Sequence, residues 1–187
     1  MNVFISGGAK NGKSSYAQDL AVKMAKEKRR PLYYIATMIP HDDEDRARID
    51  RHRKDRQGLG FRTIECGKDI DLEIEGREGV FLIDSVTALL SNEMFRSDGT
   101  VDSEASIRIA ERLGTLCRNR DGLIFVSDFI YSDGVEYDEI TDAYIRGLAI
   151  IDRAIAKECD RVIEMIHGFP VDYKEDRADQ DQLSALA

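Results

Sequence analysis

The sequence predicts a three-layer α/β fold with a mostly parallel sheet, and three observations carry that reading. Short apolar runs rich in β-branched and aromatic residues alternate with longer helical stretches, the order that a parallel sheet covered on both faces requires. Residues 79–84 (GVFLID) are continuously apolar and end in an acid, as a buried parallel strand delivering a carboxylate to its C-terminal edge would read. At the N-terminus, Val3, Phe4 and Ile5 lead into Gly7, Gly12, Lys13 and Ser14, which satisfy G-x-x-x-x-G-K-[ST]. That pattern between a strand and a helix makes the expected fold P-loop NTPase-like.

The elements follow in order. A first helix is expected over about 14–27, its positive end facing the anion held by the loop. Residues 31–37 (PLYYIAT) read as a second buried strand. Residues 41–56 (HDDEDRARIDRHRKDR) are the most charged stretch; acids lead and bases follow, matching a helix dipole. Only Ala47 and Ile49 are apolar inside it, so it is not a core helix, and such a run is ordinarily a solvated face. Helical spacing nevertheless stacks Arg48, His52 and Arg56 at i, i+4 and i+8, a stripe suited to a polyphosphate.

Residues 61–66 (FRTIEC) alternate like a strand after the turn signals Gly58 and Gly60, and 69–78 read as a polar short helix plus loop. Beyond the strand at 79–84, residues 85–95 read as a helix and 96–102 as a loop. A further helix over 103–119 places Ile107, Ala110, Leu113, Leu116 and Cys117 at apolar spacing. Residues 123–127 (LIFVS) form another buried strand, 132–138 a loop, and 140–158 a long helix burying Ile151 and Ile155. The last strand is 161–166, after which Gly168-Phe169-Pro170 turns the chain. One domain over 1–174 is expected, with a polar C-terminal tail at 175–187.

Composition excludes several classes. A chain of 187 residues with 42% hydrophobic and 34% charged residues suits one globular domain, and no apolar run reaches the length of a membrane span. The apolar start is too short for a signal peptide, so a cytoplasmic location is expected. A formal net charge of −9 argues against general nucleic-acid binding. Cys66, Cys117 and Cys159 form neither a disulfide framework nor a metal motif.

The chemistry concentrates at the glycine-rich loop. Backbone N–H groups from Gly7, Gly8, Ala9, Lys10, Asn11 and Gly12 into the first helical residues, Ser15 included, would cradle phosphates. Lys13 would reach the outer phosphates, and the Ser14 hydroxyl would ligate Mg²⁺. Asp84 ends its strand where a second Mg²⁺ residue would sit, although an acid there can equally cap the next helix. Glu65, in an alternating strand, reads either as a solvent-facing acid or as part of the site.

Taken together, GGAKNGKSSYA, YIAT with the acidic-to-basic run, TIEC, LIDSVTALLSN and HGFPVDYK resemble the bifunctional adenosylcobinamide kinase / adenosylcobinamide-phosphate guanylyltransferase family of cobalamin biosynthesis. The resemblance covers nearly the whole chain, and R-I-x-x-H with an arginine four residues on is its most specific part. It implies an enzyme that phosphorylates adenosylcobinamide, a corrinoid, and then moves GMP from GTP through a guanylylated histidine, here His52, giving adenosylcobinamide-GDP. GTP, ATP and Mg²⁺ are implied, with Lys13 and His52 catalytic. The triphosphate cradle falls on the loop from Gly7 to Ser14, and further nucleotide contacts fall on Thr37, Met38 and Ile39, on Arg53, Lys54, Asp55 and Arg56, and on Glu65 and Asp84. A homo-oligomer, possibly a homotrimer, is implied as well.

The sequence departs from the family pattern in three places. Arg51 stands where a second histidine is common. Asp128-Phe129-Ile130-Tyr131 replaces Asn-Glu-Val-Gly, and Ile145-Arg146 replaces an Arg-Asp pair. Two other functions remain compatible with the residues: a P-loop kinase or NTPase in which His52 only binds phosphate, and a non-catalytic GTP-binding regulatory protein.

Overall fold

Six strands run parallel: β1 (Val3–Gly7), β2 (Leu32–Ala36), β3 (Arg62–Glu65), β4 (Val80–Asp84), β5 (Leu123–Val126) and β6 (Arg161–Ile166). A seventh, β7 (Phe169–Lys174), returns antiparallel beside β6, and the order across the sheet is β3-β2-β4-β5-β1-β6-β7. The helices are α1 (Lys13–Lys28), α2 (Asp43–Asp55), α3 (Ile70–Ile74), α4 (Val86–Met94), α5 (Ala105–Asn119) and α6 (Glu139–Glu158). The computed structural model describes residues 1–40, 42–131 and 134–174, apart from the side chain of Arg48. The tail expected at 175–187, His41 at the head of the charged run, and residues 132–133 of the expected loop lie outside the described residues.

Alternation along the strands divides the core in two. Val3, Ile5, Tyr34, Leu82, Ile124 and Val126 face α1, which meets them with Ala17, Ala21, Met24 and Ala25. Alanines at i, i+4 and i+8 keep that helix close to the sheet. Phe4, Ile35, Phe81, Ile83 and Phe125 face the other way, under α3, α4, α5 and α6. The result is the expected three-layer, P-loop NTPase-like arrangement. Each large buried side chain contributes about 1.5–3 kcal/mol of burial.

One buried polar residue ties the sheet's N-terminal edge together. The Asn2 side chain donates to the carbonyls of Cys117 (3.0 Å) and Arg120 (2.8 Å) and accepts from the backbone N–H of Leu123 (3.1 Å). The Asn2 carbonyl also accepts from the N–H groups of Asp160 and Arg161. A single residue therefore joins β1 to the end of α5 and to the starts of β5 and β6.

The elements depart from sequence expectation in three places. Phe169 and Pro170 do not turn the chain; His167 and Gly168 do, at φ 50° and 87°, and the next residues pair with β6. A proline is tolerated there because the strand lies on the sheet edge. In α5 the buried stripe runs through Ile109 and Leu113, whereas Ile107 is 43% exposed. Ile109 lies one turn before Leu113; Ile107 is rotated to the opposite side. Finally, the short α3 is not merely polar, since Ile70 and Ile74, four residues apart, are both fully buried.

Asn2→Ala leaves two carbonyls and one N–H without partners in a dry setting. It should lower stability by about 2–4 kcal/mol, read in urea unfolding as a lower midpoint with unchanged slope.

Candidate functional site

The glycine-rich loop is shaped by its backbone before any side chain acts. A Cβ at Gly7 would lie 2.7 Å from the Met165 carbonyl oxygen, so β1 can approach β6 there only as glycine. Gly12 (φ 83°) and Lys10 (φ 58°) are left-handed, which turns the chain into α1. No side chain caps α1 and its first turn carries no acid, so its N–H groups are left to meet an anion. Asn11 Nδ2 donates to the Met165 carbonyl at 3.2 Å, and the Gly7 carbonyl accepts from the Phe129 N–H at 2.9 Å. The loop is thereby strapped to β6 on one side and to the end of β5 on the other.

Lys13 is buried. Its Nζ donates to the Gly8 carbonyl at 2.7 Å and pairs with Asp128 Oδ1 at 2.9 Å. Asp128 was read from sequence only as a departure from a family pattern. The signal available for it was an acid one residue beyond a buried strand, LIFVS-D, the same cue that marked Asp84.

Beside the loop, at the C-terminal edge of β2, β3 and β4, lies a cavity of about 290 Å³. His52, Arg53, Arg56, Met38, Glu65 and Asp84 line it, with Tyr34. The helix phase explains the membership. Arg46, Ile49, Asp50, His52, Arg53 and Arg56 bring α2 to the cavity; Arg56 is buried, Ile49 and His52 are half-buried, and Arg46, Asp50 and Arg53 stay exposed. Of the expected Arg48–His52–Arg56 stripe, His52 and Arg56 both line the cavity, and the Arg48 side chain lies outside the described residues. Lys54 and Asp55 fall on the far side of the helix, exposed.

Other predicted residues also divide. Ile39 is exposed and lies against Gly67. Thr37 is fully buried, and its hydroxyl donates to the Ser85 carbonyl (2.8 Å) while accepting from the Ser85 N–H (2.6 Å). That hydroxyl fastens the ends of β2 and β4 together. Gly8 and Ser14 are half-buried, and Ala9, Lys10, Gly12 and Ser15 are exposed on the loop. None of the loop residues lines the cavity. Two groups of predicted residues therefore share one sheet edge, the loop at β1 and the cavity at β2–β4, with β5 between them.

The cavity lining sets Arg46, Arg53 and Arg56 against Asp50, Glu65 and Asp84, and one of these cations is poorly partnered. Arg56 is 7% exposed, its guanidinium stacks 3.5 Å from the centre of the Tyr34 ring, and its Nε and Nη1 have no hydrogen-bond partner among the described residues. Burying a guanidinium this way is costly, and an anion in the cavity would relieve it. The Tyr34 hydroxyl donates to Asp84 Oδ2 at 2.9 Å, an anchor that sequence reading, which took Tyr34 for a core strand residue, did not anticipate. Arg53 pairs with Glu65 and, at 3.6 Å, with Asp50. A Mg²⁺ ion fits the donor chemistry of Ser14 and Asp84, a hydroxyl and a carboxylate, which are the hard oxygen ligands it takes. Among the described residues no group of three His, Cys, Asp or Glu side chains is placed to hold a metal alone.

Behind Asp128 lies a buried acid. Asp152 of α6 accepts from the Ser127 hydroxyl (2.9 Å) and the Tyr131 hydroxyl (2.5 Å) through Oδ2, while Oδ1 is buried with no hydrogen-bond partner among the described residues. Burial raises its carboxyl to about 7, with the neighbouring Asp128 charge adding to the shift and the two hydroxyl donors opposing it. Burial also raises the Tyr131 phenol strongly and the Tyr144 phenol to about 12.

A family model described as cobinamide kinase / cobinamide phosphate guanyltransferase matches residues 3–173. The chain is 32% identical over 178 residues to the bifunctional adenosylcobalamin biosynthesis protein CobP of Pseudomonas aeruginosa, covering 93% of this chain and 98% of that one. It is 33% identical over 107 residues to the bifunctional adenosylcobalamin biosynthesis protein CobU of Salmonella typhimurium, where the match spans 56% of each chain. The same protein of Escherichia coli matches at 33% over 108 residues, again 56% of each chain.

Two stability measurements test the electrostatics. Arg56→Met removes a buried, partly unpaired charge together with the stacking contact that seats α2 on the sheet, effects of opposite sign, so the stability of the ligand-free protein should stay within about 1 kcal/mol of the parent. Any rise in Tm that an added nucleoside triphosphate gives the parent chain should be mostly lost in the same variant. For Asp152, burial holds the folded carboxyl at about 7, against the ordinary aspartate value of 3.8. The folded state therefore binds the proton more tightly, and this stability contribution is full below about pH 4 and lost as pH rises through about 7. Thermal unfolding of Asp152→Asn between pH 4 and 8 should show the parent losing stability relative to the variant, by on the order of a few kcal/mol.

Proposed function

Since the chain belongs to the cobinamide kinase / cobinamide phosphate guanyltransferase family, we propose that it phosphorylates the aminopropanol hydroxyl of adenosylcobinamide and then guanylylates the product through His52. In the first stage the hydroxyl oxygen bonds to the γ-phosphorus of ATP or GTP, the bridging P–O bond breaks, and the nucleoside diphosphate leaves with the electron pair. In the second, an imidazole nitrogen of His52 bonds to the α-phosphorus of GTP and pyrophosphate leaves. A phosphate oxygen of adenosylcobinamide phosphate then displaces the imidazole, giving adenosylcobinamide-GDP. Splitting one transfer into two displacements is what a nucleophilic side chain provides.

The observation that carries this reading is the cavity in which His52 meets Arg53, Arg56 and Asp84 at the same sheet edge as the glycine-rich loop. The loop N–H groups and Lys13 hold the triphosphate, and Arg56 meets phosphoryl charge in a setting where a fixed cation counts for more than in water. Ser14 and Asp84 would hold Mg²⁺, which neutralises phosphate charge when bound. In this reading the enzyme acts in the cytoplasm as a homo-oligomer, a homotrimer, and the exposed Phe169, Val171 and Tyr173 of β7 offer an apolar strip for subunit contact.

Incubation with GTP labelled in the α-phosphate should leave acid-labile GMP on the parent chain and none on His52→Ala, with the modified peptide identified by mass spectrometry. An unlabelled parent chain would overturn the covalent stage. Corrinoid-dependent transfer of γ-phosphate without that label would leave the kinase alone, and saturable GTP binding without any turnover would leave a nucleotide-binding protein.

A further inference from the structure

We infer that Asp128 is the general base of the phosphoryl-transfer stage, taking the proton of the acceptor hydroxyl as its oxygen attacks the γ-phosphorus; the inference rests on the kinase half of the function proposed above. Three strand-end acids stand at this edge, and their surroundings separate them: Glu65 is paired with Arg53 on the cavity wall. Asp84 lines the His52 cavity and already accepts a hydrogen bond from the Tyr34 hydroxyl. Asp128 instead lies against the loop lysine, its Oδ1 2.9 Å from Lys13 Nζ, with its side chain 36% exposed.

Position follows from that contact. A loop lysine meets the outer phosphoryl oxygens of a bound triphosphate, so a carboxylate in hydrogen-bond contact with its ammonium stands beside the group to be transferred. An attacking hydroxyl must approach within about 3–3.5 Å of phosphorus, which leaves it room to donate its proton to Asp128 at the same time. The proton moves from the alcohol oxygen to the carboxylate, the O–P bond forms, and the bridging P–O bond breaks with the electron pair leaving on the nucleoside diphosphate.

The backbone around Asp128 is held for such a task. Its N–H donates to Thr87 Oγ1 of α4 at 3.0 Å, while the N–H groups of Ser127 and Phe129 donate to the Ile5 and Gly7 carbonyls, both at 2.9 Å. The adjoining Ser127 hydroxyl is fixed by buried Asp152. Asp152 itself is 6% exposed and already engaged by two hydroxyls, so it positions the strand end and is closed to substrate.

The test compares γ-phosphate transfer from ATP to adenosylcobinamide by the parent chain, Asp128→Asn and Asp128→Glu, with the ATP-induced rise in Tm as the control for folding and nucleotide binding. Asp128→Asn should lower kcat by about 10²–10⁴-fold, with KM for ATP and the ATP-induced Tm rise close to those of the parent. Asp128→Glu, which keeps the carboxylate, should recover part of the loss. A kcat for Asp128→Asn within about threefold of the parent overturns the inference alone. So does a loss confined to KM for ATP, which would make Asp128 only the resting partner of Lys13. A parent chain that transfers no phosphate overturns the kinase reading and this inference together.

Discussion

Much of the site depends on how one arginine is held. Helix α2 buries no apolar side chain, and its sequence alone would leave it loosely attached to the sheet. Arg56, at its C-cap, supplies the attachment by laying its guanidinium on the Tyr34 ring inside the protein. The contact fixes the rotation of the helix about its axis, and with it the residues that look inward. Arg53 and its partner Glu65 of β3 add a second tether at the surface, though an exposed pair of this kind contributes little by itself. A cation that seats the helix while its Nε and Nη1 have no hydrogen-bond partner among the described residues is also available to an anion in the cavity.

The parallel sheet supplies the rest of the geometry. Since β1 to β6 all point the same way, each strand delivers its C-terminal residues to one edge. β4 and β1 are separated by β5 alone, and two strand spacings come to about 10 Å. Asp128, at the end of the intervening strand, touches the loop through Lys13 and touches α4 through Thr87. The loop and the cavity are thus two parts of one edge, joined by backbone as well as by proximity.

Several of these features could be read from the chain before any coordinates. The loop was legible because its geometry is fixed by residue type: Gly7 where β6 comes too close for a side chain, Gly12 where the backbone turns left-handed. β1, β2, β4 and β5 were legible as apolar runs, as strands buried on both faces require, and the exposed β3 by its alternation. On α2 the spacing of His52 and Arg56 was legible, and both line the cavity, whereas nothing in so charged a run distinguished Arg53, which lines it, from Lys54 and Asp55, which do not. Nor could sequence show that the Thr37 hydroxyl is consumed in joining β2 to β4. Strand β7 was hidden by Gly168, which makes the turn, and by Pro170, which ordinarily signals one and here sits in the edge strand.

The strand order also governs how this molecule comes together as it is synthesised. β1 comes first of the seven strands in chain order, yet its hydrogen-bonding neighbours are residues 124–126 and 161–165, more than a hundred residues further along the chain. Non-local pairing of this kind must overcome a large loop-closure entropy before it is rewarded. The glycine-rich turn therefore leaves the ribosome ahead of the strands that shape it, and waits for them before it is formed.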